Sequence, residues 1–139
     1  HQALLTISKP YMLNAYGFMG KIFDLFGQHR ISVDCVTTSE ISIAVTVDHA
    51  TLENHAFMQA LASVGKVDVE TGHSLISLIG NDLFTRSSLA KSVFSSVDEA
   101  SIRMMSLGAS SYNFNFLVKE EDAQACILKL HKTLIEGGL

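Results

Sequence analysis

The chain has 139 residues, of which 47% are hydrophobic and 17% charged, with a single proline and a formal net charge of −4. This composition predicts one ordinary domain or two very small ones, and it offers no basic surface for nucleic acid. No apolar run approaches the roughly 18 residues of a membrane-spanning helix, so we expect a cytoplasmic protein that does not bind membranes.

The first half of the chain predicts elements in the order β-α-β-β-α-β. A short apolar strand at 3–7 precedes a helix that begins near Gly17. Two alternating strands follow, the first with Ile31, Val33 and Cys35 on one face. A second helix, with Thr51 as its N-cap, and a strand that stops at Gly72 complete the half. The apolar positions of these elements are Phe18, Met19, Ile22, Phe23, Phe26, Ile41, Ile43, Val45, Val47, Leu52, Ala56, Phe57, Ala60, Leu61, Val67 and Val69.

The same order begins again at His73 and ends one element early. Equivalent positions of the two halves are separated by a constant number of residues, as Phe23 and Phe94 are, and this constant spacing marks an internal repeat. The sequence therefore predicts an α+β fold of two ferredoxin-like units, 1–72 and 73–139, the second lacking one strand. Units of this size with open sheet edges favour association with a partner. The apolar positions of the second half are Leu89, Ala90, Val93, Phe94, Val97, Tyr112, Phe114, Phe116, Val118, Ala123, Cys126, Ile127, Leu130 and Leu134.

Residues that commonly carry chemistry do not form a recognisable constellation. Cys35 and Cys126 each fall within an apolar pattern, which indicates two reduced core thiols. The six histidines have neither i,i+4 spacing nor a cysteine partner, as a zinc site would require. No nucleophile, base and orienting group assemble. We expect no catalytic residues, no metal and no cofactor in this chain.

The segment from Met12 to Met19 is the best candidate for a binding site. It joins the first strand to the first helix, and Gly17 allows close approach of a ligand to free N–H groups, which suit a carboxylate. Asp34 could then meet an ammonium group. Together these features describe a site for an amino acid with a basic side chain. An ordinary helix start and a solvated aspartate would give the same pattern.

The internal repeat offers a comparison for Asp34. Aligning Ile102 with Val33 by their apolar positions sets Arg103 opposite Asp34. An arginine would repel a cationic ligand, so the two units should not bind the same molecule. The alternative is that both side chains only face water.

Several segments resemble the regulatory region of lysine-sensitive aspartate kinases, in order and at matched spacing, essentially from end to end. These are Tyr16 to Phe23, Ile31 to Asp34, Thr37 to Ser42, Leu78 to Asp82, Ile102 to Met105 and Gly108 to Ser111. The resemblance implies two ACT domains in tandem, with residues 1–72 binding the effector and 73–139 supporting the structure and dimerisation.

The same resemblance implies an L-lysine site near a homodimer interface. It places lysine contacts on Met12, Gly17, Phe18, Met19, Val33 and Asp34, with Thr38 and Ser39 in a hinge that responds. Ala15 departs from the pattern, which has a serine there, so one side-chain contact is in doubt. The family also supplies the missing strand of the second unit from just upstream of the first.

The function implied is feedback inhibition of aspartate phosphorylation by lysine, with the kinase domain upstream in the same chain and absent from this one. The alternative is a constitutive ACT-type dimerisation module with a vestigial amino-acid site, which Ala15 favours. A free-standing ferredoxin-like enzyme is a third hypothesis, and the lack of a catalytic constellation argues against it.

Overall fold

The computed structural model of the chain describes residues 1–9, 16–81, 83 and 87–137. It divides into two compact units, His1–Gly72 and His73–Leu139. No helix among the described residues is long and apolar enough to cross a bilayer.

The described residues of the first unit form four strands and two α-helices. Strand β1 is Gln2–Ser8, α1 is Phe18–Gln28, β2 is Cys35–Thr38, β3 is Ser42–Asp48, α2 is His55–Val64, and β4 begins at Lys66. The strand order is β2-β3-β1-β4, with β1 and β2 both antiparallel to β3. This is the order of a ferredoxin-like sheet, with β2 at one edge.

The helices of the first unit cover one face of its sheet. Phe18, Ile22 and Phe26 form the buried stripe of α1, and Phe57 and Leu61 form that of α2. They meet the buried strand residues Ala3, Leu5, Ile7, Ile43, Val45 and Val47 in one apolar core. The helical and alternating periodicities of the sequence therefore identify the residues of this core.

The predicted N-cap of the second helix was wrong. A 3₁₀ helix, His49–Glu53, comes first and includes Thr51; Asp48 caps it by accepting the Ala50 N–H at 2.8 Å. The Asn54 Oδ1 atom then caps α2 by accepting the Phe57 N–H at 3.1 Å. Asparagine is among the strongest capping residues, and its amide reaches the free N–H of the first turn.

Strand β4 does not stop at Gly72, as the sequence suggested, but runs from Lys66 to Ile79. Gly72 adopts a φ of 74°, which glycine tolerates without a Cβ clash. One strand therefore belongs to both units, with its residues up to Gly72 in the first and those from His73 in the second.

Among its described residues, the second unit has three strands, β4 from His73, β5 (Met104–Ser106) and β6 (Asn113–Lys119), in the order β4-β6-β5. Helices α3 (Ser87–Ser96) and α4 (Glu120–His131) lie on this sheet, and α4 continues as a π-helical turn, Lys132–Glu136. The described part of this unit thus agrees with the prediction of one strand fewer than in the first unit. The α4 helix carries acidic residues in its first turn and Lys129 and His131 in its last, as its dipole favours.

The strand registers of the two units match residue for residue. Gln2 pairs with Asp48 and His73 with Lys119, so both partners shift by the same offset that relates Phe23 to Phe94. The side chains on each face of one sheet thus have defined equivalents in the other.

The structure corrects the predicted face of Cys35. Cys35 lies opposite Thr46, which in turn lies opposite Leu4, so the three share the sheet face away from the helices. Ile31 and Val33 pack instead against the helix-side core. A bend at Asp34 breaks the alternation between Val33 and Cys35. Both cysteines are buried and free.

Some large apolar side chains assigned to buried faces are exposed. They are Met19 (46% exposed), Ile41 (59%), Val69 (43%), Phe94 (45%), Tyr112 (59%) and Ile127 (52%).

Candidate functional site

The start of α1 is an open helix N-terminus. Gly17 is its N-cap with φ 77° and ψ 5°, and no described side chain caps the helix there. The Gly17 carbonyl accepts the Lys21 N–H at 3.0 Å, so the helix is fully formed from its first turn. Its first N–H groups are donors without intrahelical partners, and together with the helix dipole they suit a carboxylate.

The residues around this helix start differ in exposure. Phe18 is buried in the core, whereas Met19 is half-exposed and Tyr16 is 93% exposed. Phe18 therefore anchors the helix, and Met19 is accessible to a ligand. Met12, the first of the predicted contacts, lies outside the described residues, as does Ala15.

Asp34 lies one residue before β2 rather than within a strand. Its carboxylate is exposed, and its backbone N–H donates to the Thr46 carbonyl at 3.0 Å. Arg103 has the same place in the second unit, where its N–H donates to the Leu117 carbonyl at 2.8 Å. Leu117 has the same place in the strand pairing of the second unit as Thr46 has in the first. The sequence alignment of Asp34 with Arg103 therefore also holds in three dimensions.

Thr38 and Ser39 lie where β2 turns into β3. Thr38 pairs with Ile43, and the Ser39 N–H donates to the Ser42 carbonyl at 2.8 Å. The Ser39 hydroxyl lies 2.8 Å from that of Ser42 and accepts the Ser42 N–H at 3.1 Å. Ser39 thus closes a tight turn, a local role typical of serine. Only the three-residue spacing of the two serines could have indicated this.

The predicted contacts fall at two opposite ends of the unit. Thr38 pairs with Ile43, which pairs with Ile7, so the β2–β3 turn lies at the Ser8 end of β1. The Phe18 ring, Ile7 and the Ser8 carbonyl all surround the same point at Gly65. The start of α1 therefore also lies at this end.

Val33 and Asp34 lie at the other end. Cys35, which follows Asp34, pairs with Thr46 in β3, and Thr46 pairs with Leu4 in β1. Asp34 therefore lies near the level of Leu4 along the strands. From Leu4 to Ser8 the strand rises by four residues, about 13 Å. Within one chain, the structure therefore brings the helix start near the hinge and leaves the acidic group at the far end.

The second unit contains a polar groove between α3 and α4, with a volume of about 700 Å³. A hydrogen bond from Lys129 to Glu99 lowers the pKa of Glu99 and raises that of Lys129. Burial raises the pKa of the adjacent Cys126 thiol, which makes it a poor nucleophile. The lining includes three lysines and two carboxylates, and Lys129 is paired with Glu99, so little net charge remains to select a ligand. It is lined by Lys91, Ser92, Ser95, Ser96, Asp98, Glu99, Lys129, Lys132 and Thr133.

No cluster of potential metal ligands occurs among the described residues. The chemistry that the first unit can perform is recognition: hydrogen-bond donors for a carboxylate at one end and an exposed carboxylate for a cation at the other.

Both repeats match one protein family. The sequence model of the ACT domain family matches residues 6–62 and 76–134, and the chain belongs to this family. A tandem pair of ferredoxin-like ACT domains is thus the class of protein that the fold defines.

Within this family the chain is similar to the regulatory regions of aspartokinases. It is 41% identical to the lysine-sensitive aspartokinase 3 of Escherichia coli, over 98% of this chain and 32% of that protein. The chain therefore spans about a third of the length of that relative.

Solved structures show the same similarity. A crystal structure of E. coli aspartokinase III in complex with lysine and aspartate, in the T-state, superposes with a TM-score of 0.83 at 41% identity, covering 96% of this chain and 31% of that chain. A C-terminal regulatory domain of aspartate kinase from Porphyromonas gingivalis W83 superposes with a TM-score of 0.83 at 26% identity, covering 96% of this chain and 91% of that one. The chain is thus a regulatory ACT region of the aspartokinase type.

Proposed function

We propose that this chain is a lysine-sensing module that binds L-lysine in its first unit and feedback-inhibits an aspartate kinase. The observation that carries the proposal is the pairing of an open helix N-terminus at Gly17 with the exposed carboxylate of Asp34 in the same unit. The lysine-bound structure of the E. coli relative, at 41% identity, supports the choice of ligand.

Lysine fits these two groups because it has a carboxylate at one end and an ammonium at the other. Hydrogen bonds from the N–H groups at the start of α1 hold the carboxylate, beside Phe18 and Met19. Asp34 accepts a charge-assisted hydrogen bond from the ammonium, with Val33 beside it. Thr38 and Ser39, at the Gly17 end, form the hinge that responds to the ligand.

The distance between the two groups favours a site shared by two chains. Six bonds of about 1.5 Å join the carboxylate carbon of lysine to its ammonium nitrogen, which limits their separation to about 9 Å. A hydrogen bond of about 3 Å at each end extends the distance that lysine can bridge between protein atoms to about 15 Å. The ends of the unit that carry Gly17 and Asp34 are about 13 Å apart along the strands, and Gly17 starts a helix that lies on the face of the sheet, which separates the two groups further. A lysine on the helix start of one chain is therefore near the limit of its reach to its own Asp34, which favours an Asp34 of a partner.

A two-fold homodimer through the β2 edge provides that arrangement. Strand β2 is an edge strand of the sheet in the first unit, and an open edge is a template for pairing with another chain. Two β2 strands paired antiparallel about a two-fold axis place the Asp34 end of one beside the Thr38 end of the other. Each dimer then has two equivalent sites, each with a helix start from one chain and a carboxylate from its partner.

Calorimetric titration with lysine tests the proposal. We expect saturable binding of lysine in preference to threonine and methionine. Asp34→Ala should weaken lysine binding about 10- to 150-fold, since a hydrogen bond to a charged group contributes about 1.5–3 kcal/mol. Equal binding of threonine, or an unchanged lysine affinity in Asp34→Ala, would contradict the assignment. Absence of lysine binding would favour the alternative of a constitutive dimerisation module with a vestigial site.

A mixing experiment tests the shared site. Asp34→Ala removes the acidic partner, and Met19→Glu places a repelling carboxylate at the helix start without burying it. Each variant alone should bind lysine at least about tenfold more weakly than the wild type. After unfolding and refolding together at equal amounts, half of the dimers combine one chain of each, and each such dimer has one intact site, about a quarter of the wild-type capacity. Sites contained within single chains predict no recovery.

The role in catalysis extends the proposal to a larger protein. We propose that an upstream kinase domain in the same chain phosphorylates aspartate and that lysine bound to the first unit stabilises an inactive arrangement of it. An effector shifts such an equilibrium only by its difference in affinity for the two states. Lysine inhibition of the full-length kinase should therefore weaken in parallel with lysine binding in Asp34→Ala. Inhibition that persists in this variant would contradict it.

A further inference from the structure

Gly65 occupies a crowded position between α2 and β4. Its φ of −167° and ψ of 179° are extended backbone that any residue adopts, so conformation does not require glycine there. Space does. A Cβ atom added at Gly65 would lie 2.7 Å from the Ser8 carbonyl oxygen, 3.4 Å from Ile7 Cγ2 and 3.5 Å from Phe18 Cζ.

The first of these contacts cannot be relieved by rotating a side chain, because the Ser8 oxygen belongs to the backbone. A carbon and an oxygen 2.7 Å apart are well inside the usual contact distance of about 3.5 Å or more. A methyl group at Gly65 must therefore displace the end of β1, the start of β4, or both.

Strand β1 ends at Ser8 and α1 begins at Phe18, and the sequence between them includes the candidate contacts Met12 and Gly17. The Ser8 carbonyl lies closer to Gly65 than a side chain there would allow, and the Phe18 ring lies beside the same point at an ordinary contact distance. The position of the helix start thus depends on a residue more than forty positions away in the sequence, and no pattern in the sequence indicates it.

We propose that Gly65 is a positioning residue of the effector site: its lack of a side chain lets the Ser8 carbonyl at the end of β1 lie close against it, beside the Phe18 ring, and so fixes the helix start that binds the ligand carboxylate. The inference rests on the proposed lysine site. Gly65 itself contacts no ligand and acts through Ser8 and Phe18.

The Gly65→Ala variant tests this role. We expect its lysine dissociation constant to rise about tenfold or more at unchanged stoichiometry, as for one lost or lengthened hydrogen bond to the carboxylate. Gly27→Ala is the matched control, because a Cβ there meets nothing within 4 Å, and its lysine affinity should equal that of the wild type. A folded Gly65→Ala protein that binds lysine as tightly as Gly27→Ala overturns the proposal.

Double-mutant cycles separate positioning from a general loss of stability. Gly65→Ala should couple with Phe18→Leu, which removes the ring from the same contact, because both act on the helix start. It should be additive with Asp34→Asn, whose effect lies at the other end of the unit. Equal coupling with both changes would show a global effect and overturn the positioning role.

A measurement on the wild type covers the case in which Gly65→Ala does not fold. Lysine titration followed by amide NMR should shift the Gly65 resonance together with those of Gly17 and Phe18. A Gly65 resonance that stays fixed while Gly17 and Phe18 shift overturns the inference. If wild-type lysine binding is absent altogether, the proposed function fails first, and the inference fails with it.

Discussion

Thr46 is the position at which a single substitution should stabilise the first unit. Its side chain is fully buried, and its Oγ1 atom has no hydrogen-bond partner among the described residues. It lies on the sheet face away from the helices, opposite Leu4 and Cys35. Since a buried hydroxyl without a partner loses its hydrogen bonds to water, the native threonine destabilises this face.

Thr46→Val replaces that hydroxyl by a methyl group of similar size and keeps the branched β-carbon that strands favour. Mutational data put the cost of an unpaired buried polar group at about 1–3 kcal/mol, so we expect a gain of about 1 kcal/mol after partial relaxation. For a unit of this size that corresponds to a rise in melting temperature of about 4–8 °C. We expect an apolar residue to be tolerated at this position, because the equivalent residue of the second unit, Leu117, is apolar and also fully buried.

Urea denaturation and differential scanning calorimetry of both proteins measure the effect. Thr71→Val, at an exposed position of β4, is the control and should change the free energy of unfolding by less than about 0.5 kcal/mol. The backbone carbonyl of Thr46 still accepts the Asp34 N–H in the variant, so lysine affinity should not change. A Thr46→Val protein less stable than wild type would show that the hydroxyl has a partner, and it would refute this reasoning.

Three further predictions concern a helix cap, an exposed ion pair and a sheet edge. Asn54→Ala should lower the free energy of unfolding by about 1 kcal/mol in urea, whereas Asn54→Asp retains a capping oxygen and most of the stability. The hydrogen bond from Lys129 holds the pKa of Glu99 below 4.5, so it stabilises the fold above the unfolded-state pKa and is lost as pH falls through the folded-state pKa. Glu99→Gln should therefore lower the melting temperature slightly at pH 7, and the difference should vanish in acid; a constant difference would exclude this linkage. In hydrogen exchange, amides of residues 73–79 should exchange faster than those of β1, because the sheet of the second unit has one strand fewer.

Much of the fold follows from periodicity in the sequence. Alternation in the strands and the helical spacing in α1 to α4 identify most residues of the two helix-side cores. The repeat offset then predicts the equivalence of the two sheets. These features could be predicted because burial on one face imposes a period on the side chains, and that period does not depend on tertiary detail.

The errors arose where a single backbone feature overrides the period. The bend at Asp34 places Cys35 on the face away from the helices. The 3₁₀ helix before α2 shifts the cap from Thr51 to Asn54. Gly72 carries β4 through a positive φ without ending it. Each depends on local hydrogen bonds or dihedral angles that side-chain hydropathy does not report.

The geometry of the candidate site could not be predicted from sequence motifs without the strand topology. The sequence identified Gly17 and Asp34 as complementary groups, but only the strand register shows that they lie at opposite ends of one unit. In the shared site that we propose, one lysine takes its two partners from different chains. Dimerisation and lysine binding are linked in that proposal, so lysine should favour the dimer.

The comparison of Asp34 with Arg103 shows why recognition can differ between units of one fold. Both residues hold the entry to an edge strand by the same backbone hydrogen bond, to Thr46 in one unit and to Leu117 in the other. That bond uses only the N–H group and the carbonyl, so it is indifferent to the side chain. A carboxylate in one unit and a guanidinium in the other therefore occur at this position with the same register of the sheet. The helix-side cores, by contrast, must remain apolar at equivalent positions because burial leaves a charged group there without partners. If Asp34 binds the ligand as we propose, an exposed substitution at this one position should change ligand specificity without changing the fold.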